Sequence, residues 1–113
     1  MATLEQCQQA VASLVERLAD VDPDIRRKYA VERTLACRVH DLEVVFLARF
    51  EEDGTIGEVT VADAGTAQVR VAASSDDLIA LIEGRLAAPT AWATGRLKID
   101  ASMLDLLKLR ALL

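Results

Sequence analysis

The sequence predicts an α+β fold: a five-stranded, mostly antiparallel sheet with helices packed on one face. Three observations predict it. Apolar residues recur at helical spacing near the N-terminus, switch to a period of two from about Thr34, and return to helical spacing from Ser74. The turn signals between the strand segments are short, which favours antiparallel neighbours and a four-strand meander. Arg38, Glu43, Arg49, Gln68 and Arg70 alternate with apolar residues, as on a sheet with one face in solvent.

Each element follows in order. Thr3 and Gln6 form a capping-box pattern, and Leu4, Cys7, Val11, Leu14 and Leu18 continue at helical spacing to about Asp20. Asp22-Pro23 opens a short second helix, since proline at a first helical position loses no bond. Leu35, Cys37 and Val39 alternate along a first strand, and Leu42, Val44, Phe46, Ala48 and Phe50 mark one face of a second. Asp53-Gly54 is a hairpin signal because both residues tolerate positive φ. Ile56 to Val61 reads as the third strand and Ala67 to Ala72 as the fourth. Ser74 and Asp77 cap a helix that Gly84 ends. Pro89 starts a short helix containing Trp92, which Gly95 stops. Leu97-Lys98-Ile99 is a brief fifth strand, and Ser102 with Asp105 caps a last helix. One domain over 1–113 then divides into a helical segment (1–33), the four-strand meander (34–73) and helices with the fifth strand (74–113).

Composition narrows the function classes. Of the 113 residues 52% are hydrophobic but only 4% aromatic, so the core is built from Leu, Val, Ile and Ala. The net charge of −5 repels phosphate backbones, which argues against nucleic acid as a partner. It argues equally against permanent docking on anionic lipid. No apolar run reaches membrane-spanning length and no signal-peptide pattern opens the chain. With Cys7 and Cys37 as the two cysteines, a reducing, cytoplasmic setting is the expectation.

The candidates for chemistry are few. His40, the one histidine, stands beside Asp41, and a His–Asp pair can orient a general base. No nucleophilic Ser or Cys lies next to it in sequence. One histidine and two separated cysteines do not make a zinc ligand set. Glu51-Glu52-Asp53 and Asp76-Asp77 fall in a turn and a first helical turn, where carboxylates are favoured locally. Gly54, Gly57 and Gly65 lack the strand–loop–helix order of a phosphate loop. The expectation is no enzyme, no catalytic residue, no metal and no cofactor.

The last helix is the unusual segment. Met103, Leu104, Leu106, Leu107, Leu109, Leu112 and Leu113 give it an apolar surface wider than one stripe. Such a helix can be buried core, a self-association surface, or a lid over an apolar cavity. Periodicity leaves all three open.

The run from Leu78 to Leu86, the segment Ala91-Trp92-Ala93-Thr94-Gly95-Arg96-Leu97-Lys98-Ile99, and Leu104 to Leu109 resemble the sterol carrier protein type two family. From Ser74 onward the likeness is one of motif, and upstream it is one of element order. The resemblance leads to the expectation of a stand-alone bacterial member without a fused enzyme. The resemblance implies non-enzymatic binding of an apolar ligand (fatty-acyl, sterol or other lipid-like molecule) in a space between sheet and helices. It suggests Phe46, Phe50, Leu81, Trp92, Leu104 and Leu107 as wall residues. The alternative is an interaction domain of the same fold with a filled core, for which a homodimer is the natural form.

Overall fold

The computed structural model describes residues 1–29, 32–104 and 106–107. Helix α1 (Leu4–Ala19) starts at the Thr3–Gln6 capping box, with both reciprocal hydrogen bonds formed. Helix α2 (Pro23–Tyr29) follows. Strands β1 (Arg33–Val39) and β2 (Val44–Phe50) pair antiparallel, with Cys37 opposite Phe46. Strand β3 (Thr60–Ala62) adds to β2. Strand β4 (Val69–Ala73) leads into helix α3 (Ser75–Glu83), which Ser74 caps through the Asp77 N–H and Gly84 ends in the left-handed conformation. Helix α4 (Ala88–Ala93) and strand β5 (Lys98–Asp100) complete the elements. The last helix expected from Ser102 lies mostly outside the described residues; its first turn is seen as the Leu106 N–H donating to the Ser102 carbonyl at 2.9 Å.

The sheet order is β3-β2-β1-β4-β5. The expected meander is corrected here: β4 does not pair with β3 but crosses to lie parallel to β1, with Cys37 opposite Val71. The other three pairings are antiparallel. The short 63–68 connection therefore has to pass over the sheet rather than turn at its edge. Gly65 marks that passage, because a Cβ there would stand 2.9 Å from the Leu47 side chain. The loop covers the solvent-side face, so Ala36 and Val45 are buried on a face where the sequence pattern predicts exposure.

The third strand also departs from the uniform alternation expected over Ile56–Val61. Ile56 bridges to Phe50, while Thr60 pairs with Leu47 and Val61 with Phe46, so the register slips by one residue in between. One extra residue inserted on an edge strand is a β-bulge. The hairpin tip before it docks on α2. Gly54 has φ +84° and is buried, and a Cβ there would stand 2.7 Å from the Cβ of Arg26. Only glycine meets both demands.

Helices α1 and α3 cover the other face. Cys7, Val39 and Phe46 form the buried centre, packed by Leu4, Val11, Leu78 and Ile79 among others.

Candidate functional site

The bulge opens a groove at the β3 edge. It lies between α1 and the segment 56–61 and has a volume of about 580 Å³. Val11, Ala12 and Val15 form one wall; Ile56, Val59 and Val61 form the other; Phe46 is at the base. The bulge makes this composition possible. On a strand paired regularly over the same residues, Ile56 and Val61 would point to opposite faces, since an odd separation along a strand reverses the side chain. Gln8, Glu16 and Glu58 are the polar lining residues and all three are exposed, so they form a rim. No cation is among the lining residues.

Of the six residues expected to form a ligand wall, Phe46 alone lines this groove. Phe50, Leu81 and Trp92 are half-buried. Leu104 and Leu107 are exposed, at 71% and 57%, and so is Met103. The expected wall is thus not gathered around one space by the described residues. Val11, Val15, Ile56, Val59 and Val61 were not singled out. The signal for them was Gly57 interrupting an apolar strand, which marks a bulge.

The remainder of the helix-side face is incompletely packed. Cys37, Val71 and Ile99 form one row across β1, β4 and the edge strand β5, and all are only half-buried. Burial nevertheless pushes the Cys37 thiol up to about 11, with a smaller contribution from neighbouring Cys7.

A second groove runs between α1 and α3 and is larger, about 970 Å³. Its lining includes Gln6, Gln9, Ser13, Arg17, Asp76, Glu83 and Arg85. The Arg17 guanidinium donates to the Ile82 carbonyl at 2.6 Å, holding one end of α3 to α1. Size favours this groove, but its polar walls do not suit an apolar molecule.

The His40–Asp41 neighbourhood is organised around a serine distant in sequence. The Ser75 hydroxyl donates to Asp41 Oδ2 at 2.6 Å, and the Ser75 N–H donates to Oδ1 at 2.8 Å. The same hydroxyl accepts from the Ala2 N–H at 3.0 Å. Burial raises the Asp41 pKa, but the Ser75 hydrogen bonds outweigh it and the net shift is downward. Ser75 is fully buried and its hydroxyl is engaged on both sides, so it is a clasp rather than a nucleophile. Arg96, from the motif before β5, donates to Asp77 at 2.5 Å and lowers its pKa. Among the described residues no three His, Cys, Asp or Glu side chains cluster as a metal site, and no helix is long and apolar enough to cross a membrane.

The fold has clear structural relatives. It is similar to sterol carrier protein 2 like 2 from Aedes aegypti, with TM-score 0.65, 16% identity, and coverage of 96% of this chain and 97% of that one. It is similar to sterol carrier protein-2 from Aedes aegypti in complex with palmitate, with TM-score 0.63, 19% identity, and coverage of 99% and 96%. A stereoselective inverting sec-alkylsulfatase from Pseudomonas sp. also matches, with TM-score 0.60 and 23% identity, over 85% of this chain but 15% of that one. At these identities the likeness is one of fold. No curated protein matches the sequence. The model of the SCP-2 sterol transfer family, however, matches residues 8–113, nearly the whole of the chain whose sheet and covering helices are described above: the protein belongs to the SCP-2 sterol transfer family.

Proposed function

We propose that this chain binds an apolar, lipid-like molecule without transforming it, in the groove between α1 and the bulged sheet edge. The observation that carries this reading is the apolar composition of a concavity of about 580 Å³, a volume within the usual range for small-molecule sites. Family membership supports a lipid-like ligand. The palmitate held by a protein of the same fold supports an acyl chain as one form of it. Phe50, paired with Ile56 at the groove, and Leu81 and Trp92 on α3 and α4 then extend the path of a longer ligand. Leu104 and Leu107 close over it if the last helix swings inward. A non-enzymatic, cytoplasmic carrier or presenting module is the role that follows.

The test is titration of delipidated protein with a fluorescent fatty acid and a fluorescent sterol. At least one should bind saturably. Val15→Arg and Val61→Arg, placed in opposite walls, should each weaken that binding at least tenfold while circular dichroism stays unchanged. Folded variants that bind as the parent does would move the site elsewhere.

A second reading is self-association. Met103, Leu104 and Leu107 together form an exposed apolar cluster, which in a monomer is uncommon. A dimer by light scattering that Leu104→Glu dissociates would favour it.

A further inference from the structure

The face of the sheet opposite the helices carries a second, chemically different concavity. The strand register sets out its residues. Arg38 stands opposite both Val45 and Ala72, and Ala72 opposite Lys98, so these four form one row on one face. The next row is Leu47, Ala36, Arg70 and Asp100. The 63–68 connection crosses this face with Gly65 against Leu47, and the space left beside it is a pocket of about 240 Å³. Its floor is apolar and covered: Ala36 is 4% and Val45 3% exposed. Its walls carry Arg38, Arg70 and Lys98, with Asp100 as the one carboxylate in the lining.

The three cations are not equivalent. Arg70 is engaged, donating to Asp100 Oδ2 at 2.7 Å and to the Ala67 carbonyl at 3.1 Å. Arg38 and Lys98 have no hydrogen bond or ion pair among the described residues, although the chain has a net charge of −5. They stand two strands apart, about 10 Å at the backbone. The small side chain of Ala72 lies between them in the row, which leaves room for the guanidinium and ammonium to converge. Two cations without a partner among the described residues, above a buried, low-dielectric floor, concentrate positive potential there.

We propose that this pocket binds a small amphiphilic oxyanion, a carboxylate or phosphate monoester on a short apolar body. The oxyanion sits between Arg38 and Lys98 above Ala72, and the apolar body rests on Ala36 and Val45 beside Gly65. The volume lies below the usual range for ligand sites, which limits the body to about the size of one ring. The guanidinium supplies a fork for two oxygens and the ammonium a point charge. This site is independent of the apolar groove and lies on the other side of the sheet. It gives Lys98, the first residue of β5, a role that packing does not.

The test is amide chemical-shift mapping on the full chain at constant ionic strength, with phenyl phosphate and benzoate in separate titrations and phenol as the uncharged control. Saturable shifts confined to Ala36, Arg38, Gly65, Ala72 and Lys98 are expected, from one or both anions, with phenol inert. Whichever anion binds more tightly distinguishes phosphate from carboxylate as the preferred head group. Arg38→Gln and Lys98→Gln should each weaken binding about tenfold or more, the change expected for losing a charge-assisted hydrogen bond. Both side chains are exposed, so the variants should keep the parent spectrum elsewhere. Equal binding of phenol, equal binding by the double variant, shifts centred on Val11 and Val59, or no shift at millimolar anion would each overturn the proposal.

Discussion

Replacing Ser75 by alanine tests whether the clasp at the start of α3 holds three parts of the fold together. The hydroxyl is fully buried, donates to Asp41 at 2.6 Å and accepts from the Ala2 N–H at 3.0 Å. A hydrogen bond to a charged group contributes about 1.5–3 kcal/mol, and a stranded buried N–H costs about 1 kcal/mol more. Asp41 is half-exposed and keeps the Ser75 N–H, so water can replace part of what is lost. The expected loss is about 2–3 kcal/mol. With a urea slope of about 1.5 kcal/mol/M, the midpoint falls by about 1.3–2 M. Asp41→Asn should cost less in the Ser75→Ala background than in the parent, with a coupling of about 1–2 kcal/mol. The pH dependence carries a sign. The folded pKa of Asp41 lies below its ordinary value of 3.8, so its contribution is full above 3.8 and fades as the pH falls through the folded value. The penalty of Ser75→Ala should therefore be largest at neutral pH and shrink in acid. A penalty under about 0.5 kcal/mol at neutral pH, or one constant into acid, would refute the clasp.

Three further outcomes follow. The groove beside α1 has an acidic rim, Glu16 and Glu58, with no cation in its lining, so a fatty alcohol should bind more tightly than the matching fatty acid at neutral pH. Glu16→Lys with Glu58→Lys should reverse that order in a competition titration. Gly54→Ala should destabilise the fold by about 1–3 kcal/mol in urea melts, because φ is +84° and the new Cβ would meet Arg26 at 2.7 Å. The Cys37 thiol, pushed up to about 11, stays protonated at neutral pH and should react with a maleimide far more slowly than an unfolded control. Its labelling rate should rise with alkali.

The sequence revealed the elements better than the connections. Thr3, Ser74, Gly84 and Gly95 act where their side chains or backbone freedom predict, because capping and left-handed termination are decided within a few residues. The period-two pattern likewise located β1 and β2. The pairing partner of β4 is different in kind. Short loops suggested hairpins throughout, yet the 63–68 connection is just long enough to cross the sheet, and no residue in it announces that. The one clue was apolar: Ala36 and Val45 stand on the face that should have been polar.

The candidate groove was legible only through its base. Phe46 is recognisable as an inward residue because alternation fixes its face. The walls depend on the register slip between Ile56 and Val61, which brings both to the same side. Alternation alone assigns one of them to solvent, so a strict reading of the pattern removes half the wall. The same edge explains why the groove is open. A three-residue β3 that begins after a bulge does not extend under the second half of α1, and Val15 is left over the gap rather than over a strand. If that account is right, restoring a regular strand should close the groove from below. Deleting Glu58 would remove the extra residue, leave Ile56 and Val61 four apart on one face, and let a regular ladder run from Val61 to Ile56 beneath α1, so lipid-probe binding should fall even though no apolar wall residue was replaced. A deletion variant that folds and binds as well as the parent would mean that the concavity owes nothing to the bulge.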